Sequence, residues 1–362
     1  PVRSRAPALV VALVLAAGCG PGVPRAAQPS APARLASAAA RASAPASTPP
    51  ELGTRRADSA PPLYPLPAGP VLPEPCPPPP RPAVTPPPPP GPPRVAEGAV
   101  PAPLPVQPRQ VRLGAVTGKG SWLTVWPDSR LDVVAVVRQA RDAGLHQLWI
   151  RTGGSKQGYY GGRFLPGLLA QAHAAGVAVI AWDFPTLSDP AADVRRAAEA
   201  LGAGVDGFSA DIETTAEGVY PTARRVAYYL SVVRSYAGRR PLIATVPRPT
   251  PYRLASYPYA AEAPYVDVFA PMVYWSCHEP GAFAVTAVQG LRRWGRPVHL
   301  IGQAYDMVSE GGRPGVPTGR ELWRFLDVAR RVGALGASFY LFSQTGPAQW
   351  QAIARYPWPV GR

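Results

Sequence analysis

The sequence predicts an α/β protein in which a (β/α)8 TIM barrel, residues 111–362, follows a disordered proline-rich linker. Of the 51 prolines in 362 residues, 32 lie before position 111, and this density excludes regular helices and sheets there. The remainder has the length typical of one such barrel, about 250 residues. Within it, eight short apolar runs alternate with segments of helical periodicity.

Residues 1–19 have the pattern of an export signal. Arg3 and Arg5 precede an uncharged, mostly apolar run, and small residues lead directly into Cys19. The run is shorter than the roughly 20 residues that span a bilayer. The segment resembles a bacterial lipoprotein signal, which implies lipidation of Cys19. An ordinary secretory signal, or an apolar stretch that occurs by chance, is the alternative. Either signal predicts an extracytoplasmic protein, anchored to the cell membrane by lipid or secreted.

Residues 20–110 are predicted to be a linker. Tracts such as Pro77 to Pro80 and Pro86 to Pro90 favour polyproline II, a semi-rigid spacer that advances about 3.1 Å per residue. Recruitment of a proline-binding partner is the alternative use of such tracts.

The formal charge of +15 comes almost entirely from arginines without a dense basic run, which argues against a nucleic-acid partner. Cys76 and Cys277 do not indicate a disulfide framework.

The barrel domain, residues 111–362, is predicted from strands whose starts lie one βα unit apart. Asp189-Pro190 begins one intervening helix, Thr318 with Glu321 forms a capping box before another, and glycines close several helices before the next strand. The predicted strands are Val111–Thr117, Gln147–Thr152, Ala178–Asp183, Gly207–Asp211, Leu242–Val246, Val266–Met272, Val298–Gln303 and Ala337–Phe342.

A functional site is expected at the carboxyl ends of these strands, as in other barrels of this type. Ser209, Asp211 and Glu213 alternate along the fourth predicted strand, so the two carboxylates face the same side. Two close carboxylates repel when both are ionised, which raises one pKa and leaves a proton available for a general acid. A cap for the next helix or an ion pair with a nearby arginine is the structural alternative.

Carboxylates beside tryptophans and tyrosines are typical of a sugar site. No cofactor is predicted, and no metal is predicted, because the histidines are dispersed along the chain. The predicted substrate-binding residues are Arg151, Trp182, Asp183, Trp275, Tyr305, Asp306 and Gln344.

Two short motifs resemble those of the family 18, chitinase-like glycoside hydrolases. Residues 206–213 resemble the DGxDxDxE strand of that family, and residues 272–274 resemble its MxY motif. The resemblance implies that Glu213 is the general acid, that Asp211 orients the acetamido group of the substrate, and that Tyr274 hydrogen-bonds that group. Ser209 and Trp275 depart from the family pattern, each standing where an aspartate is usual. Lysozyme-like barrels of family 25 also place a DxE at a strand end.

The sequence therefore predicts a surface-anchored glycoside hydrolase that acts on an amino-sugar polysaccharide such as a cell-wall glycan. Glu213 would be its general acid/base, and the protein would be a monomer. The alternative is a catalytically inactive barrel that binds glycan through its aromatic rim, since a fold by itself does not determine function.

Overall fold

A computed structural model describes residues 91–310 and 312–359 of the chain. The signal segment 1–19 with Cys19, and residues 20–90 of the predicted linker, lie outside the described residues. The described strands are β1 Gly118–Leu123, β2 Gln147–Gly154, β3 Gly158–Tyr159, β4 Ala178–Phe184, β5 Gly207–Asp211, β6 Leu242–Val246, β7 Val268–Pro271, β8 His299–Gln303 and β9 Gly336–Tyr340.

Eight of these strands are parallel and form a nearly closed TIM barrel, which confirms the predicted fold class. The pairing order is β7-β6-β5-β4-β2-β1-β9-β8, and the bridges Phe269–Val298 and Met272–Ile301 join β7 to β8. The two-residue strand β3 pairs antiparallel with the end of β2.

Helices follow the strands on the outside of the barrel. The predicted caps are present: the side chain of Asp189 accepts from the amide of Ala192, and Thr318 with Glu321 forms a capping box. The helices are α1 Val133–Asp142, α2 Leu165–Ala174, α3 Pro190–Gly202, α4 Ala223–Ala237, α5 Pro251–Ser256, α6 Tyr259–Glu262, α7 Ala282–Leu291, α8 Gly319–Arg331 and α9 Pro347–Arg355.

The first strand lies later in the chain than the sequence predicts. Leu113–Val116 is a short 3-10 helix rather than part of a strand, and β1 begins at Gly118. The sequence of β1 contains Lys119, a residue unusual in a buried strand. This side chain is only 3% exposed, and its ammonium donates hydrogen bonds to the carbonyls of Ala143, Ile353 and Tyr356. Those bonds offset the cost of burying the charge.

The barrel interior is filled with aromatic and branched side chains, so it is a packed core and not a channel. Trp122 stacks on Trp149 with ring centroids 4.6 Å apart, and Trp182 contacts Trp122 at 5.6 Å. The Trp149 ring in turn lies 4.9 Å from that of the buried His299. Substrates therefore have access only from the end of the barrel.

Residues 91–112, here termed the N-terminal strap, lie against the barrel although the sequence places most of them in the linker. Arg109 forms an ion pair of 2.8 Å with Asp267, and Glu97 forms one of 2.7 Å with the buried Arg225. Val100 is 1% exposed. Among the described residues, contacts with the barrel extend back to Gly91, whose carbonyl accepts from the hydroxyl of Tyr220, and this lies before the predicted boundary.

Candidate active site

The two carboxylates singled out by the sequence lie together at the carboxyl end of β5. Asp211 is the last residue of that strand and Glu213 follows two positions later, so both side chains face the barrel mouth. Both line the same cavity. Asp211 is 8% exposed, and its Oδ1 has no hydrogen-bond partner among the described residues.

Burial and mutual repulsion keep protons on this pair at higher pH than usual. Burial raises the pKa of Asp211 to about 7, and the nearby Arg151 partly opposes this rise. Burial also holds the pKa of Glu213 well above its ordinary value, and the charges of Asp211, Glu217 and Glu310 add to that effect. A carboxyl that is protonated near neutral pH can act as a general acid.

The larger of the two cavities around the pair, here termed the acidic cavity, has a volume of about 570 Å³. Four carboxylates line it: Asp211, Glu213 and Glu217 from the end of β5 and the segment after it, and Glu310 from the loop after β8. Its lining is Trp122, Trp182, Asp211, Glu213, Glu217, Thr245, Pro247, Arg248, Met272, Tyr274, Ile301, Tyr305, Glu310 and Tyr340.

The second cavity, here termed the Arg151 cavity, has a volume of about 370 Å³ and is also lined by the pair. It shares Trp182, Asp211, Glu213 and Tyr340 with the acidic cavity. Both spaces therefore open onto the same two carboxylates.

A third cavity of about 450 Å³ continues from the Arg151 cavity, with which it shares Ser155, Lys156 and Thr186. It also shares Glu217 with the acidic cavity, so all three spaces adjoin one another. The three adjoining spaces are here termed the cleft.

Aromatic rings form two walls of the cleft. Tyr274, Tyr305 and Tyr340 pack against one another, with ring centroids 5.3–6.1 Å apart. On the other wall, the guanidinium of Arg151 lies between the rings of Trp126 and Trp182, at 4.4 and 5.3 Å from their centroids. Flat apolar faces beside hydrogen-bonding groups suit sugar rings, which have an apolar face and a polar edge.

Four further predicted site residues line the cavities around the pair. Among the described residues, Tyr274, Trp182 and Tyr305 line the acidic cavity, while Arg151 lines the Arg151 cavity. Trp182 also donates from Nε1 to the carbonyl of Leu123 at 3.2 Å, which fixes its ring.

Four other predicted substrate-binding residues lie outside both cavities. Asp183 is 1% exposed, and its Oδ2 is paired with Arg196 of α3 at 3.0 Å. Trp275 is fully buried against Phe325, with centroids 5.2 Å apart.

Asp306 and Gln344 hold two loops together. The Gln344 side chain accepts from the amide of Asp306 at 3.1 Å, and Asp306 accepts from the amide of Val308 at 2.8 Å. These side chains are therefore engaged with backbone amides outside the cavities.

The position of Asp183 follows from the two-residue repeat of a strand. Trp182 and Asp183 are neighbours on β4 and must point to opposite faces, so only Trp182 reaches the cleft. Trp275 and Asp306 come after the ends of β7 at Pro271 and β8 at Gln303, where the strand repeat no longer applies.

Nine residues that line the acidic cavity are not among the predicted site residues: Trp122, Glu217, Thr245, Pro247, Arg248, Met272, Ile301, Glu310 and Tyr340. Trp122 was missed because β1 was placed too early. Glu217 could have been found from the sequence, because it completes a capping box with Thr214. Its Oε2 accepts from the Thr214 amide at 3.0 Å. Glu310 comes from the loop after β8 and carries no such signal.

Position 209, where the family pattern has an aspartate, holds a serine that is fully buried. Its Oγ hydrogen-bonds Oγ1 of Thr245 on β6 at 2.8 Å. Ser209 therefore stabilises the strand pair beneath Asp211 and adds no charge to the site.

Within the described ranges, no group of three or more histidine, cysteine, aspartate or glutamate side chains could hold a metal ion. Cys277 is disulfide-bonded, contrary to the expectation from the cysteine pattern. In the same described part of the chain, every helix is too short or too polar to cross a bilayer.

Comparison with solved structures shows the fold shared by this chain. The spore cortex-lytic enzyme SleL of Bacillus cereus matches with a TM-score of 0.51 and 11% identity, over 66% of this chain and 73% of that one. SleL of Bacillus megaterium matches with a TM-score of 0.50 and 8% identity, over the same shares. A GH18 chitinase of Flavobacterium johnsoniae has a TM-score of 0.49 and 12% identity, over 66% and 93%.

The sequence matches no protein-family model and no curated protein. At identities of 8–11%, the two SleL structures show that this chain has the barrel fold of those enzymes. The assignment of chemistry depends on the site itself.

Proposed function

We propose that this protein is a glycoside hydrolase that cleaves an amino-sugar polymer, with Glu213 as the general acid/base. The observation that carries the proposal is the position of the Asp211–Glu213 pair, which lines two adjoining cavities and has raised pKa values. A polymer in the cleft would place rings on both sides of Glu213. The bond between those rings would then lie beside the proton donor.

In the proposed reaction, protonated Glu213 donates its proton to the glycosidic oxygen as the bond from that oxygen to the anomeric carbon breaks. Ionised Asp211 stabilises the positive charge that develops on the sugar ring. Glu213, now a carboxylate, accepts a proton from the water that adds to the anomeric carbon. This last step regenerates the acid and completes the hydrolysis.

The amino-sugar substrate class is supported by two points. The motifs at 206–213 and 272–274 resemble those with which family 18 enzymes hold an acetamido group, and their residues Asp211 and Tyr274 both line the acidic cavity. The two Bacillus proteins that share the barrel are described as cortex-lytic. We further propose that the protein acts outside the cytoplasm, held by lipid on Cys19, and this part rests on residues 1–19 alone.

The test is Glu213→Gln, which keeps the shape and hydrogen bonding of the side chain but removes the transferable proton. We expect turnover to fall about 10²–10⁴-fold while glycan binding persists. Release of reducing ends should be measured on peptidoglycan, chitin oligomers and other amino-sugar polymers. Glu199→Gln, the same change at an exposed position of α3 outside the cleft, is the matched control.

The second candidate function is glycan binding without cleavage, and the opposite result of this test would support it. The serine at position 209 removes one acidic group from the family pattern, which favours a barrel that binds glycan without cleaving it. If the wild type and Glu213→Gln show equal trace activity on every polymer while both bind one of them, the protein is a glycan-binding module.

A further inference from the structure

We propose that Tyr257 and Glu262 are positioning residues that hold the peptide before Glu213 and thereby set the direction of its carboxyl. The proposal rests on the proposed function only in so far as Glu213 is the acid. Neither residue lines the cavities described above, and no step of the reaction uses them.

The contact with the active-site strand is direct. Tyr257 lies between α5 and α6, and its hydroxyl donates to the carbonyl of Ile212 at 2.7 Å. That carbonyl belongs to the peptide group that joins Ile212 to Glu213. A hydrogen bond there restrains rotation of the peptide, and with it the direction in which the Glu213 side chain leaves the backbone.

Glu262 determines where the tyrosine proton goes. Its Oε1 lies 2.8 Å from the Tyr257 hydroxyl, which has one proton and two oxygen neighbours. A carbonyl can only accept, so the Ile212 bond uses that proton. The second contact is then a hydrogen bond only if the Glu262 carboxyl is protonated and donates to the tyrosine oxygen.

The surroundings of Glu262 favour the protonated form. Glu262 is fully buried, and its other oxygen, Oε2, has no partner among the described residues. Burial raises the pKa of Glu262 to about 8. The charged and titratable groups that act on this cluster are Glu213, Arg253 and Tyr259.

Ionisation of Glu262 would reverse the arrangement. The carboxylate can only accept, so it competes with the Ile212 carbonyl for the single tyrosine proton. As pH rises through about 8, the Ile212–Glu213 peptide therefore loses its restraint. A glutamine at 262 mimics the protonated acid at every pH, because its amide donates to the tyrosine oxygen.

The neighbouring tyrosine supplies a matched control. The hydroxyl of Tyr259 donates to the carbonyl of Pro247, after β6, at 2.8 Å. Tyr257→Phe and Tyr259→Phe therefore remove the same group from positions two residues apart, but only Tyr257→Phe frees the peptide before Glu213. We expect Tyr257→Phe to lower kcat by up to about 100-fold with a smaller change in KM, the effect of a misplaced catalytic group.

The deciding experiment compares the wild type, Glu262→Gln and Tyr259→Phe from pH 6 to 10. It follows the backbone amide of Glu213 by NMR in protein labelled with ¹⁵N-glutamate, and the resonance is identified by its loss in Glu213→Gln. We expect a shift with a midpoint near pH 8 in the wild type and Tyr259→Phe, and its absence in Glu262→Gln. Titration of Asp211 also shifts the Glu213 amide resonance, and it does so in all three proteins. The test therefore uses only the part of the shift that is present in the wild type and absent in Glu262→Gln.

The same proteins are then assayed on the cleaved glycan, where Glu262→Gln should keep the rate at pH 7 and decline less above pH 8 than the wild type, because in this variant only the ionisation of Glu213 itself lowers the rate. If Glu262→Gln keeps both the amide shift and the full alkaline decline of the wild type, the positioning role of Tyr257 and Glu262 is refuted while the hydrolase proposal stands. If the amide shift behaves as expected but no glycan is cleaved, the pair stands and the hydrolase proposal fails.

Discussion

Removal of the N-terminal strap tests whether residues 91–112 are part of the barrel domain. The comparison is between a chain that begins at Gly91 and one that begins at Leu113. A proline-rich linker should be dispensable for stability, whereas the contacts of the strap predict that its removal destabilises the barrel.

The size of the effect follows from Arg225 and Val100. Arg225 is 1% exposed and donates to the carboxylate of Glu97 and to the carbonyls of Leu187 and Val95. Removal of the strap takes away Glu97 and Val95, and each unsatisfied buried donor costs about 1–3 kcal/mol. We use the lower end, because water can enter where the strap was. The burial of Val100 adds about 1.5–2 kcal/mol.

Together these losses amount to about 4 kcal/mol, which lowers Tm by about 8–16 °C for a domain of this size. Circular dichroism melting of the two chains measures the difference. Within the longer chain, Val100→Ala should lower Tm, and Val106→Ala should not, because Val106 is 50% exposed. Equal melting of the two chains, to within about 2 °C, would refute the reasoning.

The remaining predictions concern stability, binding and anchoring. The pKa of Glu262 is raised to about 8 in the folded protein, so the stability that its protonated carboxyl contributes is complete below its unfolded pKa near 4.5 and is lost as pH rises through about 8. In urea unfolding, the free energy of unfolding of Glu262→Gln should therefore fall less over this pH range than that of the wild type. An equal fall in both proteins would contradict the assignment. Trp182→Ala should weaken glycan binding, measured by calorimetry, more than it lowers turnover, because it removes an aromatic face of the cleft and leaves the proton donor in place. A loss of turnover at unchanged affinity would contradict this prediction. Cys19→Ser should move the protein from the detergent-extracted membrane fraction to the soluble extracytoplasmic fraction, and an unchanged membrane fraction would exclude the lipid anchor.

The elements that the sequence predicts best are those whose local pattern matches their final environment. β5 and β6 have the predicted bounds because each is a short apolar run buried on both faces. The Asp211–Glu213 pair could be located because a period of two determines which face the side chains take. That rule needs no knowledge of distant residues.

The elements that the sequence misplaces depend on contacts with distant parts of the chain. Lys119 fits inside a strand only because carbonyls from α9 and the turn after it lie within reach of its ammonium. Asp183 is occupied by Arg196 from the following helix, a pairing that spacing alone does not reveal. Glu310 reaches the acidic cavity from a loop whose path is determined by packing.

The scarcity of lysine gives this protein a natural position for a spectroscopic probe. Lys156 is the only exposed lysine among the described residues, because Lys119, the other lysine of the sequence, is buried and bonded to three carbonyls. Lys156 lines the Arg151 cavity and the space beyond it. An amine-reactive fluorophore would therefore label the barrel domain at the edge of the cleft. Its emission would report the arrival of each candidate glycan in real time, whether or not that glycan is cleaved.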